Sequence, residues 1–260
     1  MNGKVYEYLN QKIKADGGLC MILLDPPKQK PEVSGKIAQL AEQAGADVIL
    51  IGGSTGAQGE LLEATISEIK KNSKLPVLLF PGGVGTVSKN ADAIYFMSMI
   101  NSRNPYWISQ AQVTIAPHIK QLGLETIATT YIVLEPGETV GWVGDANAIP
   151  RHKPELAAAC ALTGQMFGSK AVILESGSGA PAPAPVEMVK MVSHYIDLPV
   201  IIAGGCKTPE QAYELIKAGA AGIQIGTAIE KENGELSKAG EKIKSFVDAI
   251  KRAGREKLKK

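Results

Sequence analysis

Continuous apolar runs alternate along this chain with stretches of amphipathic, helix-like sequence. Six of the apolar runs end in a short cluster of glycine, acidic or hydroxyl residues: MILLDPP, VILIGGSTG, VLLFPGG, AVILESGSG, VIIAGG and IQIGT. Strands that are covered on both faces read as unbroken Val/Ile/Leu runs, whereas half-exposed strands alternate apolar with polar residues. The pattern therefore predicts a parallel sheet, and parallel neighbours need crossover connections, which are usually helices.

The full pattern predicts eight strands, at residues 19–24, 48–51, 77–80, 93–97, 125–133, 171–174, 200–203 and 222–225. Helices are predicted at 31–44, 59–71, 105–122, 154–167, 186–195, 209–218 and 235–253, after an amphipathic start at 5–13. The third crossover is irregular, because the short stretch between residues 81 and 92 is rich in Gly and Val and leaves too little room for a full helix. Eight strands with a helix after nearly every one, in 260 residues, are typical of a (β/α)₈ barrel of the TIM type. No shift in composition marks a boundary, so we expect one domain over residues 1–260.

Composition and charge narrow the function. The net charge of +2 is nearly neutral and gives no reason to expect nucleic acid as a partner. Cys20, Cys160 and Cys206 form no CxxC pair, so neither a disulfide framework nor a zinc site is expected. The run Leu19–Leu24 is much shorter than the roughly 20 apolar residues of a spanning helix. We therefore expect a cytoplasmic protein without a transmembrane segment.

The loops after the seventh and eighth strands indicate an anion site. In (β/α)₈ barrels the chemistry lies at the C-terminal ends of the strands, and phosphate often binds at these two loops. Here they carry Gly204 and Gly205, then Gly226 and Thr227. Glycines let backbone N–H groups approach an anion closely, although paired glycines also serve as simple tight turns. We favour a phosphate site over tight turns alone.

Asp25 and Ser54 suggest a metal site at the same rim, since they follow the first and second strands. A carboxylate and a hydroxyl, completed by water and by substrate phosphates, are oxygen ligands of the kind that Mg²⁺ prefers. Alternatively, Asp25 caps the turn at Pro26 and Pro27.

Taken together, several segments resemble the geranylgeranylglyceryl phosphate synthase family, over nearly the whole chain. The matching segments are LLDPP (23–27), IGGSTG (51–56), NSRNPYWI (101–108), YIVLEPGETVGWVGDANAIPR (131–151), ILESGSGAP (173–181) and the glycine pair at 204–205. They look most like the larger of the two family groups, whose members commonly assemble beyond the dimer, often as hexamers. A homo-oligomer between dimer and hexamer is therefore expected.

The resemblance implies transfer of a C20 prenyl group from geranylgeranyl diphosphate to the 3-hydroxyl of sn-glycerol 1-phosphate, the first step of archaeal-type ether lipid synthesis. By motif match, Asp25 and Ser54 would hold Mg²⁺. The glycerol phosphate site would comprise Ile173, Leu174, Glu175, Ser176, Gly177, Ser178 and Gly179, together with Gly204, Gly205, Gly226 and Thr227. An apolar groove would accept the prenyl tail.

One position departs from the family pattern. The family usually has Tyr where this chain has Ile173, so a hydroxyl that helps to hold glycerol phosphate is missing. Ser176, which replaces the usual Ala, is a candidate substitute.

Within this mechanism Glu175 is the predicted general base for the attacking hydroxyl, and Mg²⁺ on Asp25 would neutralise the leaving diphosphate. Arg103 is a candidate for a further diphosphate contact, with a structural ion pair as the alternative. Trp107 and Trp142 are more simply core or subunit-interface residues than substrate contacts.

Three rival functions remain at this point. A heptaprenylglyceryl phosphate synthase-like enzyme would differ only in the length of its prenyl donor. Another phosphate-binding barrel enzyme, of the indole-glycerol-phosphate or thiamine-phosphate synthase type, shares the glycine loops but does not explain NSRNPYWI. A noncatalytic barrel that binds prenyl phosphates is the third, and the presence of both Glu175 and Asp25 argues against it.

Overall fold

The computed structural model describes residues 3–53, 56–230 and 236–259, which contain a closed barrel of eight strands. The strands are β1 (Leu19–Leu24), β2 (Val48–Gly52), β3 (Val77–Phe80), β4 (Ala93–Met99), β5 (Glu125–Val133), β6 (Ala171–Glu175), β7 (Val200–Ala203) and β8 (Gly222–Ile225). Each strand pairs in parallel with the next, and β8 returns to β1. The predicted (β/α)₈ fold is confirmed.

Helices cover the outside of the barrel and one of its ends. They are α1 (Lys4–Asp16), α2 (Pro31–Ala44), α3 (Gly59–Asn72), α4 (Ala111–Leu122), α5 (Glu138–Val143), α6 (Pro154–Met166), α7 (Val186–Tyr195), α8 (Pro209–Lys217), α9 (Thr227–Glu230) and α10 (Leu236–Lys257). The sequence pattern did not predict the short helices α5 and α9 or a 3₁₀ turn at Pro26–Lys28. All three are too short to show an apolar period, and all lie beyond the C-terminal ends of strands.

Alternation along each strand divides the apolar residues into two layers. On β8, Ile223 and Ile225 pack in the layer between the sheet and the helices. On β6, Val172 and Leu174 belong to that outer layer, whereas Ile173 packs inside the barrel. Glu175 and Gln224 share the inward parity, and both line the cavity described below. The fold therefore directs these two polar side chains toward the barrel axis.

The connection between β3 and β4 contains no helix, although the structure describes all of residues 81–92. This confirms the irregular third crossover. Its consequence is a gap in the helical layer, and residues 81–84 of the connection line a cavity that continues along β4 and α4.

The helix predicted at 105–122 begins differently from the prediction. A π-helical turn covers Tyr106–Gln110 before α4 starts at Ala111. The Gln112 amide, one residue into α4, donates hydrogen bonds to the Met97 and Trp107 carbonyls. These contacts tie the wide turn to the end of β4, which a helical periodicity cannot reveal.

A polar network fastens α1 and α10 to the N-terminal end of the barrel. The Lys251 ammonium contacts both carboxylate oxygens of Asp47 at 2.8 Å, an Asp16 oxygen at 2.9 Å and the Gly18 carbonyl at 3.2 Å. Asp47 also accepts a hydrogen bond from the Cys20 backbone at 2.8 Å.

Among the described helices, none is long and apolar enough to cross a membrane.

Candidate active site

A cavity of about 660 Å³ opens at the C-terminal end of the barrel. We call its two parts the polar arm and the apolar arm. The polar arm is lined by Asp25, Lys28, Gly53, Glu175, Ser178, Gly179, Gly204, Gly205, Lys207, Gln224, Gly226, Thr227 and Lys242. The apolar arm is lined by Phe80, Val84, Ile94, Tyr95, Phe96, Met97, Met99, Trp107, Ala111, Ile115, Ile119, Tyr131, Val140 and Val143. One continuous space therefore joins a charged site to a groove for an apolar chain.

Glu175 lies at the junction of the two arms, at the last position of β6. Glu175 is only 5 % exposed. The Tyr131 hydroxyl donates a hydrogen bond to Oε2 at 3.0 Å, and the Gly177 backbone N–H donates one to Oε1 at 2.7 Å. Burial raises the pKa of Glu175 to about 6, and the two hydrogen bonds oppose part of that rise. A carboxylate that is mostly ionised at pH 7 and still basic suits a general base.

The loop after β7 can approach Glu175 closely only because it carries glycine. Gly204 adopts φ +74°, a left-handed conformation that side chains disfavour. A Cβ added there would lie 2.4 Å from Glu175 Oε1 and 2.5 Å from the Gly177 carbonyl oxygen. Any other residue would therefore displace the carboxylate or the loop.

The loops after β6, β7 and β8 form what we call the glycine cradle, which comprises Ser178, Gly179, Gly204, Gly205, Gly226 and Thr227. The Ser178 and Thr227 hydroxyls lie 3.2 Å apart across the cradle, so the β6 and β8 loops meet there. Lys28, Lys207 and Lys242 line the same arm and supply positive charge. An anion bound here would meet backbone N–H groups, hydroxyls and cations together.

Asp25 lies across the polar arm, just after β1. Its Oδ2 is 3.2 Å from the Lys28 ammonium, while Oδ1 is buried and has no hydrogen-bond partner among the described residues. Burial raises the pKa of Asp25, and the nearby Lys28 charge opposes the rise. A Cβ added to Gly53 would lie 2.4 Å from Oδ1, so only glycine leaves that oxygen its space. Among the described residues, no cluster of three or more His, Cys, Asp or Glu side chains could hold a metal by itself.

Several predicted site residues lie elsewhere. Ile173, Leu174 and Ser176 are completely buried and do not line the cavity. Leu174 faces the helices, and Ile173 lies one layer deeper in the barrel than Glu175. The Ser176 hydroxyl is buried, without a hydrogen-bond partner in residues 3–53, 56–230 and 236–259. Ser176 therefore does not present its hydroxyl to the cavity in place of the missing Tyr. The Gly177 N–H is already bonded to Glu175.

Arg103 and Ser54 are the remaining predicted site residues. Arg103 donates to Asp145 at 2.6 Å, keeps 68 % of its side chain exposed and does not line the cavity. This geometry matches the structural ion pair that was the alternative to a diphosphate contact. Ser54, the second predicted metal ligand, lies outside the described residues.

The two tryptophans have different environments. Trp107 is partly buried, packs on the inner core and lines the apolar arm, while its ring contacts the Tyr106 ring edge-on at 5.0 Å. Trp142 is 85 % exposed, so it is not a core residue.

Sequence reasoning missed Tyr131 and the three lysines. Tyr131 ends up beside Glu175 because β5 and β6 pair in a register that places Tyr131 opposite Ile173 and Val133 opposite Glu175. Alternation along β5 and β6 indicates that both side chains point into the barrel. Only the register of the two strands shows that they are neighbours. Lys28 and Lys207 each follow a quoted loop motif within a few residues, and that proximity could have indicated them.

Known proteins match this chain over most of its length. The model of the PcrB family matches residues 11–250. A geranylgeranylglyceryl phosphate synthase from Thermococcus kodakarensis is 51 % identical over 249 residues, which cover 96 % of this chain and 98 % of that protein.

Two solved structures match over nearly their whole length. Wild-type GGGPS from Thermoplasma volcanium aligns with a TM-score of 0.91 and 37 % identity, covering 97 % of this chain and 98 % of that one. The (S)-3-O-geranylgeranylglyceryl phosphate synthase from Thermoplasma acidophilum, in complex with its substrate sn-glycerol-1-phosphate, aligns with a TM-score of 0.89 and 36 % identity, covering 97 % and 100 %. The chain therefore belongs to the PcrB family, among the geranylgeranylglyceryl phosphate synthases, and is a prenyltransferase.

Proposed function

We propose that this protein joins geranylgeranyl diphosphate to the 3-hydroxyl of sn-glycerol 1-phosphate and releases diphosphate, as the first committed step of archaeal-type ether lipid synthesis. One observation carries the proposal above the others. Glu175, a buried carboxylate with a pKa raised to about 6, lies where the glycine cradle meets the apolar arm. A glycerol phosphate on the cradle and a prenyl chain in the apolar arm would both reach this carboxylate.

In the proposed reaction the glycerol phosphate binds first through its anion. The cradle backbone, the Ser178 and Thr227 hydroxyls and the lysines of the polar arm hold the phosphate. This places the glycerol hydroxyls deeper in the barrel, toward Glu175. The Thermoplasma acidophilum relative, whose structure contains sn-glycerol-1-phosphate, supports this choice of substrate.

Bond formation then needs a proton acceptor. The oxygen of the 3-hydroxyl attacks the first carbon of the prenyl chain, the bond from that carbon to the diphosphate oxygen breaks, and the hydroxyl proton moves to Glu175. Tyr131 and Gly177 hold the two carboxylate oxygens in place by hydrogen bonds of 3.0 and 2.7 Å, so Glu175 is oriented before substrate binds.

The residues present fit a magnesium ion at Asp25. Within the described residues its Oδ1 is buried without a hydrogen-bond partner, and any side chain at position 53 would collide with that oxygen. Mg²⁺ is commonly bound through one or two carboxylates plus substrate phosphates, so a single protein carboxylate suffices. When bound, Mg²⁺ would supply neutralisation of the diphosphate charge. Lys28 would contribute further positive charge beside Asp25.

The apolar arm fits the prenyl tail. Burial of hydrocarbon yields about 0.8 kcal/mol per CH₂-sized unit, so part of a C20 chain supplies several kcal/mol of binding. The arm uses aromatic, Met and Ile side chains, and it runs into the gap left by the missing third crossover helix. We propose geranylgeranyl diphosphate as the donor on the strength of the relatives' names.

Formation of product by purified protein tests the proposal. The assay combines Mg²⁺, sn-glycerol 1-phosphate and geranylgeranyl diphosphate, beside sn-glycerol 3-phosphate and beside shorter and longer prenyl diphosphates, with mass spectrometry of the products. We expect the C20 ether of glycerol 1-phosphate as the main product. A longer ether as main product would change the donor, and no ether from folded, phosphate-binding protein would favour the noncatalytic barrel.

We further propose a cytoplasmic homo-oligomer. The three cysteines are all unpaired, which is usual in a reducing compartment. The exposed Trp142 offers a large aromatic surface of the kind that subunit interfaces cover. Light scattering of the purified protein measures the assembly directly, and we expect a dimer or a multiple of dimers.

A further inference from the structure

Gln224 is a buried polar residue to which the proposed reaction gives no role. It occupies the inward position of β8 between Ile223 and Ile225, is 4 % exposed and lines the polar arm. In the part of the chain that the structure describes, neither its amide nitrogen nor its amide oxygen has a hydrogen-bond partner. A buried, unsatisfied polar group costs about 1 to 3 kcal/mol, so an apolar residue would serve the fold better.

The neighbours of Gln224 do not satisfy it. Tyr95, on the opposite side of the barrel, is close enough for the carboxamide to oppose part of the rise that burial imposes on the pKa of that phenol. Within the described residues, neither amide atom forms a hydrogen bond, with Tyr95 or with another side chain. The carboxamide nitrogen therefore remains a donor and the carboxamide oxygen an acceptor in a residue that lines the cavity.

Strand register places Gln224 on the same level as Glu175. Glu175 pairs with Ala203 across β6 and β7, and Ile202 pairs with Ile223 across β7 and β8. Gln224, which follows Ile223, is therefore level with Ala203, which follows Ile202. Two strand spacings separate the Cα atoms of Glu175 and Gln224, which is about 10 Å. The small side chain of Ala203 lies between them and leaves the space open.

We propose that Gln224 binds the 2-hydroxyl of the glycerol phosphate acceptor and so helps to select the acceptor; this rests on the proposed function. A hydroxyl both donates and accepts, which matches the two free groups of the carboxamide. A hydrocarbon chain offers neither function, and a phosphate offers acceptors only. With the phosphate on the cradle and the 3-hydroxyl at Glu175, the 2-hydroxyl is the group left to reach the opposite wall.

The test compares two acceptors in two proteins. The acceptors are sn-glycerol 1-phosphate and 3-hydroxypropyl phosphate, which has the reacting hydroxyl but no 2-hydroxyl. The proteins are the wild type and Gln224→Met, which keeps the length of the side chain and removes its polar atoms. Gln165→Met serves as the matched control, because Gln165 lies on α6 and bonds to Asp197, remote from the cavity.

We expect the wild type and the control to prefer sn-glycerol 1-phosphate in kcat/KM by about tenfold to a hundredfold, the size expected for an unpaired buried amide. In Gln224→Met this preference should fall to about twofold, through a loss with glycerol phosphate and little change with the propyl analogue. If Gln224→Met prefers sn-glycerol 1-phosphate as strongly as the wild type does, the proposal is overturned. If Gln224→Met is not folded, Gln224→Leu takes its place.

Calorimetric titration of both phosphates into the same proteins separates this inference from the proposed reaction. If the wild type forms no ether but still binds glycerol phosphate more tightly than the propyl analogue, and Gln224→Met does not, the reaction is wrong and the role of Gln224 stands. Equal discrimination by both proteins in the titration overturns the role of Gln224, whatever the turnover.

Discussion

The two ends of the barrel treat buried carboxylates in opposite ways. At the N-terminal end, Asp47 is 1 % exposed and meets a lysine at both oxygens as well as a backbone N–H. At the C-terminal end, Glu175 has two hydrogen bonds but, within the described residues, no ion pair, and Asp25 has one oxygen without any partner. Burial raises the pKa of all three groups, and a cation opposes that rise at Asp47 and Asp25 but not at Glu175.

This difference assigns different roles to the two ends of the barrel: the N-terminal end stabilises the fold and the C-terminal end carries the chemistry. A carboxylate that is fully satisfied within the protein has nothing left to offer a ligand, so Asp47 joins α1 and α10 to the barrel. A carboxylate whose charge is left uncompensated is poised to take a proton, a metal or a substrate group. Barrels of this fold generally place their chemistry at the C-terminal end and their stabilising contacts at the other.

The largest expected effect concerns Glu175. Glu175→Gln should lower turnover by about a hundredfold to ten-thousandfold, because the variant cannot accept the hydroxyl proton. Binding of glycerol phosphate, measured by calorimetry, should change little, since the cradle is intact. Near-normal turnover would remove Glu175 from the role of base.

At the other end of the barrel we expect the reverse, a loss of stability without a loss of chemistry. Lys251→Met leaves Asp47 buried without its cation, which should cost about 3 kcal/mol in the free energy of unfolding. Denaturant titration measures this cost. The control is Lys244→Met, which breaks the exposed pair with Asp248 and should cost about 0.5 kcal/mol or less. A loss of turnover in folded Lys251→Met would contradict the separation of the two ends.

Ionisation of the buried Glu175 should also lower the free energy of unfolding as the pH rises. Burial raises its pKa from 4.5 to about 6, so the folded protein holds this proton more tightly than the unfolded chain does. Its contribution to stability is therefore complete below about pH 4.5 and is lost as the pH rises through about 6. The side chain in Glu175→Gln does not ionise, so the stability of this variant has no such dependence on pH. Between pH 4.5 and 8 the stability difference should move by about 2 kcal/mol in favour of the variant, and a constant difference in thermal unfolding would argue against an uncompensated charge.

Asp25 tests the metal assignment with a smaller effect. Asp25→Asn keeps the shape of the side chain but removes the charge, so about tenfold more Mg²⁺ should be needed for half-maximal activity. Direct binding of Mg²⁺ in the presence of diphosphate, followed by calorimetry, gives a readout that does not depend on turnover. An unchanged Mg²⁺ titration would show that Asp25 is not a ligand.

The sequence predicted the barrel well because its strands are continuous apolar runs. The bounds of β1, β3 and β7 coincide with those runs, since a strand buried on both faces is apolar at nearly every position. The π-helical turn at Tyr106–Gln110 could not be predicted, because it depends on a contact between Gln112 and the end of β4.

The site was predictable only where its chemistry follows a strand directly. Glu175 and the cradle glycines come straight after apolar runs, so their position at the rim could be inferred. Tyr131 and Gln224 lie within apolar runs, where they read as ordinary strand residues, and their roles depend on pairing between strands. Parity alone does not show which inward side chains share a level.

The most direct test of the account is the pH dependence of kcat/KM for ether formation, at saturating Mg²⁺, in the wild type and in Glu175→Gln. If Glu175 is the base, kcat/KM in the wild type falls at least tenfold per pH unit below about pH 6 and is level above it. The phosphate of the substrate also ionises near pH 6. The pH profile of the residual activity of Glu175→Gln shows this ionisation alone. We therefore expect the variant's profile to lack one of the two ionisations seen in the wild type. Identical profiles in the two proteins would contradict the account.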